Sequence, residues 1–312
     1  MTQPPNPTQT PTRPHGIGTA PVSFRVYDAA NPLPAAEMAA AAARIGYAGT
    51  ELGPAGWFGR PHEAAETLGS NGLSAIGAYA AVHVTGDDTQ VERDLAAMER
   101  SCAELVACGG GTVVLADAGT PDLARNPARA PDDTALALDA AGWERLAAVV
   151  ERAARRVRDA GLNPSFHPHL CTHVESAGEV ERLLDLVDVG LTLDTGHLRL
   201  AGADPVECLR AWRERIDHVH VKDVDLAALE RVKAAGRTDH PAWWGDLFRP
   251  LGGGDADLAR FVRELAAGGY RGWWVVEHDG PTTGGPDLVG DTAVQTANLA
   301  WLRRLLSPAN PT

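Results

Sequence analysis

The sequence predicts an α/β fold of the (β/α)8 type, the TIM barrel. Short apolar or β-branched runs alternate with Ala-, Leu-, Arg- and Glu-rich segments of helical period, and this strand-then-helix pattern repeats eight times. No change of composition divides the 312 residues into two domains. Alternating strands and helices are typical of a parallel sheet, and eight such units in a chain of this length close a barrel.

Each strand is predicted from a short run of apolar and β-branched residues. In chain order the eight runs are residues 22–28, 49–53, 74–83, 112–117, 163–169, 190–194, 218–224 and 272–278. The helices predicted between them are residues 34–45, 61–71, 88–108, 143–160, 176–187, 204–214, 256–267 and 290–306. Asp159-Ala160-Gly161 before a strand and Asp204-Pro205 at a helix start are typical element boundaries. An open doubly wound sheet would need a glycine-rich turn after the first strand, and residues 28–32 do not supply one.

The ends of the chain differ in composition from its centre. Residues 1–16 are rich in Pro, Thr, Gln and Asn, which predicts a flexible tail. A single catalytic barrel is predicted over residues 17–307, followed by a short tail at 308–312. The longest connections, 118–142 and 225–255, follow the fourth and seventh strands and are predicted to form walls or lids over the active face.

Charge and hydropathy narrow the possible partners. The net charge is −13, from 28 Lys and Arg against 41 Asp and Glu, which argues against a broad surface for nucleic acid or anionic membranes. No apolar run approaches the roughly 18 residues of a membrane span, and the N-terminal residues do not resemble a secretory signal. The four cysteines contain no C-x-x-C pair and are expected to be reduced and mostly buried. A cytoplasmic enzyme acting on a small molecule is therefore predicted.

The predicted strands end in polar residues, and a barrel of this type carries its chemistry at those ends. In strand order they are Asp28, Glu51, His83, Asp117, His167 with His169, Asp194 with His197, His220 with Lys222, and Glu277 with His278. A single polar residue after a strand is ordinary. A polar residue after all eight strands predicts an active site.

Three stretches predict a divalent metal site: residues 193–197, 218–223 and 275–279. Alternate residues of a strand share a face, so His218, His220 and Lys222 are predicted to point to one side. Asp194, His220 and Glu277 form a mixed oxygen and nitrogen set that suits Mn²⁺ or Co²⁺, with Mg²⁺ or Zn²⁺ as alternatives. Each residue alone could be a helix cap or a core histidine, but buried together they require a compensating charge.

These stretches resemble the xylose isomerase-like barrel superfamily of sugar isomerases, epimerases and dehydratases, and within it the inosose dehydratases. The motifs are D-T-G-H at 194–197, H-V-H-V-K-D at 218–223 and V-V-E at 275–277, with G-I-G-T-A-P-V-S-F at 16–24, G-Y-A-G-T-E-L-G-P at 46–54, F-H-P-H at 166–169 and P-L-G-G-G at 250–254. The resemblance implies that Asp194, His220 and Glu277 are three of four metal ligands. His167 stands where the epimerases of the superfamily have a glutamate, which favours a dehydratase.

The resemblance implies dehydration of a keto-polyol such as 2-keto-myo-inositol through α-proton removal and an enolate. The predicted base is Glu277, Lys222 would add positive charge at the enolate, and His169 or His197 would protonate the departing hydroxyl. Substrate contacts are predicted at Glu51, His83, Trp57 and Trp243, with Trp244 as a further part of an apolar wall. The alternative for Glu51 is that it orients a ligand.

Other functions remain open from the sequence. A ketose 3-epimerase or sugar isomerase, or a β-eliminase of 3-keto sugars or glycosides, would use the same metal site. A DNA-repair endonuclease of the same superfamily would need a trinuclear metal cluster and a basic groove, which the net charge disfavours. A barrel without catalysis would have lost metal ligands. The alanine-rich helix 35–43 would permit a homo-oligomer.

Overall fold

The computed structural model describes residues 16–26, 33–129, 135–236, 243–280 and 287–307. Eight parallel strands close a barrel in the order β1-β10-β7-β6-β5-β4-β3-β2. They are β1 Ile17–Thr19, β2 Gly49–Leu52, β3 Ser74–Val82, β4 Thr112–Asp117, β5 Asn163–Phe166, β6 Gly190–Asp194, β7 Ile216–Val221 and β10 Trp274–Val276. The remaining two, β8 Asp223–Val224 and β9 Phe248–Arg249, form a separate antiparallel pair. The predicted (β/α)8 barrel is confirmed.

The barrel is surrounded by helices. They are α1 Ala35–Ile45, α2 Pro61–Ser70, α3 Asp88–Ala107, α4 Pro121–Ala124, α5 Ala140–Asp159, α6 Ala177–Leu186, α7 Thr195–Leu200, α8 Pro205–Trp212, α9 Leu226–Ala234, α10 Leu258–Ala267 and α11 Leu288–Leu306. All eight predicted helices are present within a few residues, and α4, α7 and α9 are additional. No described helix is long and apolar enough to cross a membrane. The four cysteines are free, and all but Cys108 are buried, as predicted.

The predicted position of the first strand is wrong. The strand is β1, and residues Pro21–Phe24 within the predicted run form a 3-10 helix. Pro21 has no N–H for a strand ladder and favours the first turn of a helix, so the strand ends before it. Gly18 in β1 allows close approach of β2, because a Cβ there would lie 2.9 Å from the backbone carbonyl oxygen of Gly49. Asp28, residues 1–15 of the predicted N-terminal tail and the predicted tail at 308–312 lie outside the described residues.

The barrel interior beneath the strand ends is partly polar. Thr192 on β6 donates a 2.8 Å hydrogen bond to Ser165 on β5, and both residues are fully buried. Asp194 and His167 follow them two residues later and therefore share their inward direction. Apolar residues fill the layer between strands and helices, including Phe166, Val219 and Val276. The inward faces of these strands thus lead into a polar cluster at one mouth.

Candidate active site

Four side chains from neighbouring strands meet at the C-terminal mouth of the barrel. His167 follows β5, Asp194 ends β6, His220 lies in β7 and Glu277 follows β10. The sheet register brings them together, because Asp194 is paired with His220, and His220 is also paired with Val275 of β10. One ligand atom from each of the four lies within 4.8 Å of the others, and all four are buried. These are the four residues that the sequence and the resemblance predicted as ligands.

Three atoms of this cluster are buried and form no hydrogen bond to any described residue: Asp194 Oδ2, His220 Nδ1 and Glu277 Oε2. His220 Nδ1 lies 3.6 Å from Asp194 Oδ2 and 2.7 Å from Glu277 Oε2. The Nδ1–Oε2 contact is an ion pair that lacks hydrogen-bond geometry. Buried polar atoms without hydrogen bonds are costly, and three that face one another suit a partner common to all. Carboxylate oxygens with imidazole nitrogens suit a divalent transition metal, so the residues fit the ion that the family implies.

The residues of the D-T-G-H motif position the Asp194 carboxylate and the Lys222 side chain. Asp194 Oδ1 caps α7 by accepting hydrogen bonds from the backbone N–H groups of Gly196 and His197, at 2.7 and 2.9 Å, which leaves Oδ2 for the cluster. Thr195 Oγ1 donates to the Lys222 carbonyl and accepts from the Lys222 N–H. A Cβ at Gly196 would lie 2.7 Å from Lys222 Cγ. The motif therefore fixes both the carboxylate and the path of the lysine side chain.

Lys222 connects the cluster to a further carboxylate. Its side chain is fully buried, and Nζ lies 3.0 Å from Glu277 Oε1, 3.1 Å from Asp279 Oδ1 and 3.5 Å from Asp194 Oδ2. Asp279 Oδ2 also accepts a 2.8 Å hydrogen bond from Trp244 Nε1. Asp279 is thus held from two sides without belonging to the ligand cluster.

Burial and neighbouring charges separate the protonation states of these groups. Burial opposes the charge of Glu277, but Lys222 and His220 outweigh it and lower the pKa of Glu277 to about 2. For Asp279 burial prevails over Lys222 and raises the pKa to about 6. Burial also disfavours the Lys222 ammonium, yet Asp194, Asp279 and Glu277 together raise its pKa above the ordinary value. The site therefore holds an ionised Glu277, a permanent cation and a carboxyl that titrates nearer neutrality.

The histidines beside the cluster are neutral. Burial lowers the pKa of His167 to about 3 and that of His169 to about 4, and it lowers the pKa of His197 well below its usual range. His167 Nδ1 lies 2.8 Å from the Pro168 carbonyl and His169 Nδ1 lies 2.8 Å from the Leu170 carbonyl. Only an N–H can satisfy a carbonyl oxygen, so each ring carries its lone pair on Nε2.

A cavity of about 260 Å³ opens onto the cluster. Its walls include Ala20, Pro21, Val22, Glu51, Tyr79, His167, His169, His220, Trp244, Glu277 and Asp279. The ring of Trp244 is nearly parallel to that of His169, with a centroid distance of 5.7 Å. The cavity wall thus combines apolar and aromatic residues with carboxylates and imidazoles, and Trp244 contacts one of each kind, His169 and Asp279.

Asp223 explains the glycines of the P-L-G-G-G motif. Its Oδ2 accepts hydrogen bonds from Gly252 N and Gly254 N at 2.8 and 3.0 Å, and its Oδ1 accepts from Ala256 N at 3.1 Å. Gly252 has a φ of +82°, and a Cβ at Gly254 would lie 2.3 Å from the Val224 carbonyl. This contact joins the loop to β8, and pairing of β8 with β9 holds the segment that carries Trp244 over the mouth.

The four predicted substrate contacts have different positions. Glu51 is buried and lines the cavity. Trp243 is fully buried and is not one of the cavity walls, whereas its neighbour Trp244 is. Trp57 is half-buried and donates to the Leu33 carbonyl. The His83 side chain is 47% exposed and lies 2.9 Å from Asp94.

Asp279 and Tyr79 of the cavity were not among the predicted site residues. A signal for Asp279 was present, because it follows Glu277 by two residues at a strand end and alternate residues share a direction. Tyr79 lies in the middle of β3 in an alanine-rich run, and its sequence context carries no such signal.

Comparison with known proteins gives consistent matches. The sequence model described as xylose isomerase-like TIM barrel matches residues 39–305. An inosose dehydratase of Geobacillus kaustophilus is 31% identical over 239 residues, which cover 75% of this chain and 77% of that protein. The rhizopine catabolism protein MocC of Rhizobium meliloti is 33% identical, covering 75% of this chain and 71% of that protein. The crystal structure of the IOLI protein with a binding zinc atom superposes with a TM-score of 0.67 at 13% identity, covering 94% and 98% of the two chains.

Proposed function

The chain belongs to the xylose isomerase-like TIM barrel family, and from the chemistry of its buried cluster we propose that it is a metal-dependent lyase that dehydrates a keto-polyol such as 2-keto-myo-inositol. The observation that carries the proposal is the convergence of Asp194 Oδ2, His220 Nδ1 and Glu277 Oε2, buried without hydrogen bonds among the described residues, beside a cavity that His220 and Glu277 line. The similarity to inosose dehydratases, at 31% identity for one of them, supports the substrate class.

The proposed metal ligands are His167 Nε2, Asp194 Oδ2, His220 Nδ1 and Glu277 Oε2. Burial disfavours the charged form of His220, but Glu277 and Glu51 outweigh it and raise the pKa of His220 well above its usual value, so without a metal its imidazolium shares the positive charge with Lys222. A metal ion that displaces the His220 proton leaves the ionised Glu51, Asp194 and Glu277 with two negative charges beyond the Lys222 ammonium. A divalent cation would balance them, and we propose Mn²⁺ or Co²⁺. Such an ion supplies Lewis-acid polarisation of a substrate carbonyl.

Dehydration breaks a C–H bond beside the carbonyl and a C–O bond at the next carbon, and the proton and hydroxide leave as water. We assign the proton transfer to Asp279, and no longer to Glu277 as the sequence suggested. Glu277 belongs to the ligand cluster and its pKa is lowered to about 2, which makes it a weak base. Asp279 also has a partner at each oxygen, Lys222 at Oδ1 and Trp244 at Oδ2, but it lines the cavity outside the ligand set and its pKa is raised to about 6. Asp279 accepts the α-proton and returns it to the departing hydroxyl, because the same carboxyl serves as base and then as acid.

The other residues prepare this step. Lys222 is a positioning residue, since it contacts Glu277 and Asp279 and is not itself one of the cavity walls. His169 holds its proton on Nδ1 toward the Leu170 carbonyl, so its Nε2 accepts a hydrogen bond from a substrate hydroxyl. Trp244 covers the site with an apolar ring, against which the C–H face of a polyol packs. The same ring excludes water from the reacting carbon atoms.

The experiment is incubation of the metal-loaded protein with 2-keto-myo-inositol, followed by ultraviolet absorbance and mass spectrometry. We expect an enolisable diketone that is lighter than the substrate by one water. A product of unchanged mass would reject the dehydratase and favour an epimerase or isomerase with the same metal site. If neither product forms although the protein binds metal, the proposed substrate class is wrong.

Two substitutions separate the assigned roles. We expect Asp279→Asn to retain the metal and to lose turnover by about 100-fold or more, because only the proton-transfer group is removed. Glu277→Gln is expected to lose both metal and turnover. Glu104→Gln is the control, since Glu104 is a buried carboxylate that accepts from Gly56 N outside the site. An Asp279→Asn protein with unchanged turnover would contradict the assignment.

A further inference from the structure

A second buried group lies deeper in the barrel and is not accounted for by the ligand cluster. Glu51 projects from β2, and His218 and His220 project from β7, which is separated from β2 by β1 and β10 in the closed sheet. Glu51 Oε1 lies 2.7 Å from His218 Nε2 and 2.9 Å from His220 Nε2. All three residues are at most 3% exposed. One carboxylate oxygen therefore bridges two imidazoles across the barrel interior.

This group is a hydrogen-bonded assembly and not a second metal site. The two distances are those of N–H···O bonds, and a single oxygen is the acceptor of both. None of the three atoms belongs to the buried atoms left without a partner among the described residues. The ligand cluster shows the opposite, with three unpartnered atoms facing one another. A carboxylate has no proton to give, so both imidazoles donate their Nε2–H to Glu51.

The bond to Glu51 decides which nitrogen of His220 faces the cluster. With Nε2–H held by Glu51, Nδ1 is the nitrogen that faces the cluster, 2.7 Å from Glu277 Oε2 and 3.6 Å from Asp194 Oδ2. Nδ1 is therefore the atom that offers a lone pair to a metal ion when the ion displaces the proton there. His167 uses the opposite arrangement, because its Nδ1 is bonded to the Pro168 carbonyl. Each ring is thus oriented by a partner on the side away from the cluster.

His218 supports Glu51 from the other side. It is buried to 2% exposure and is also a wall of a second cavity of about 360 Å³ at the N-terminal end of the barrel, together with Asp217, Gly110 and Trp273. Its hydrogen bond gives the buried carboxylate a second donor, which stabilises Glu51 in its ionised form. Glu51 therefore does not depend on His220 alone for its position.

We propose that Glu51 is a positioning residue that fixes the tautomer of His220 and strengthens its Nδ1 as a metal ligand, with His218 holding Glu51 in place. The inference rests on the proposed metal site. It replaces the substrate contact that the sequence predicted for Glu51, because the oxygen nearest the histidines is already shared by two N–H donors. Carboxylates that hold a metal-bound imidazole in this way raise its basicity, and their loss typically weakens metal binding by about 10- to 100-fold.

The test uses two variants of Glu51 and two readouts that do not depend on turnover. Glu51→Met removes the acceptor and the charge at similar length, whereas Glu51→Gln retains an oxygen acceptor and removes only the charge. Nitrogen-15 NMR of histidine-labelled protein reports which ring nitrogen of His220 carries the proton, with His220→Gln identifying the signal. Titration with Co²⁺ by calorimetry and visible absorption reports the affinity and the coordination of the ion.

For Glu51→Met we expect loss of the single Nε2–H tautomer and a Co²⁺ affinity lower by about 10- to 100-fold. For Glu51→Gln we expect the tautomer to persist and the affinity to fall less. Glu104→Met is the matched control, because it removes a buried carboxylate outside the barrel interior and should leave both readouts unchanged.

The outcomes separate the inference from the proposed function. If the unsubstituted protein binds no Co²⁺, the proposed metal site fails. If it binds Co²⁺ and both Glu51 variants keep its affinity and tautomer, the inference is overturned. Should Glu51→Met fail to fold, Glu51→Gln still decides the matter, because an affinity equal to that of the unsubstituted protein would show that the Glu51 charge does not act on His220.

Discussion

Replacement of Asp194 by asparagine should abolish metal binding and leave the barrel folded. The two oxygens of Asp194 have different tasks, since Oδ1 accepts from Gly196 N and His197 N while Oδ2 faces the cluster. Asparagine retains the capping oxygen and places an NH₂ group where Oδ2 was, and an amide nitrogen does not coordinate the ion. Alanine removes both oxygens. Comparison of the two variants therefore separates the ligand from the cap.

The magnitudes follow from these contacts. A metal at 100 times its dissociation constant stabilises a protein that binds it only when folded by about 2.7 kcal/mol. For a chain of this length that corresponds to a rise in Tm of roughly 5 °C. Asp194→Asn should show no such rise. Without metal, Asp194→Ala should be less stable than Asp194→Asn by about 1 kcal/mol, the usual contribution of a capping side chain.

The assay is thermal unfolding by circular dichroism with EDTA and with excess Mn²⁺, together with metal analysis of the dialysed protein. Asp204→Asn is the control, because Asp204 caps α8 by accepting from Val206 N and is remote from the cluster. It should retain the full metal-dependent rise. A rise of normal size in Asp194→Asn would refute the assignment of Oδ2 as a ligand.

Two further predictions concern the motif glycine and a buried glutamate. Gly196→Ala should lower turnover by about 10-fold or more and retain the metal, because a Cβ at this position would lie 2.7 Å from Lys222 Cγ and displace the lysine side chain. Steady-state kinetics and metal analysis measure the two effects, and unchanged turnover would contradict the prediction. Burial, with Glu179 adding, raises the pKa of Glu175 from 4.5 to about 7, so the folded state holds a proton that the unfolded state has released. The contribution of Glu175 to the free energy of unfolding should therefore fall by about 3 kcal/mol as the pH rises from 4.5 to 7. Urea unfolding should show the difference between the unsubstituted protein and Glu175→Gln changing by that amount across the window, and a constant difference would rule this out.

The sequence predicted the barrel well because its signals are local and repeated. Strands such as β4 and β6 were predicted to the residue, since each is a short apolar run ending in Asp117 or Asp194. The first strand was misplaced because the run at residues 22–26 is as apolar as a strand, and only Pro21 marks it as the start of a helical turn. The absence of a backbone N–H at Pro21 is a weak signal when the residues after it favour a strand.

The site residues that lie at strand ends could be predicted from the sequence, and those placed by loops could not. Asp194, His220 and Glu277 follow from the barrel rule that polar strand ends share one mouth. Trp244 lines the cavity and Trp243 does not, because β8 pairs with β9. Each of these strands has only two residues, which is too short to be predicted from the sequence. His83 also ends a strand, yet its ring lies beside Asp94 on α3. Strand ends alone do not fix the direction in which a side chain leaves the barrel.

The clustering of carboxylates in the barrel interior bears on the lifetime of the protein in a cell. Glu51, Asp194 and Glu277 are buried at the centre of the fold, and an ion that binds there only in the folded chain would lower the population of open forms. Proteases degrade open forms, and a change of 1–2 kcal/mol alters protein abundance several-fold. A cell short of the metal would therefore hold less of this protein as well as less active protein. Its amount would follow the supply of the ion without any dedicated regulator.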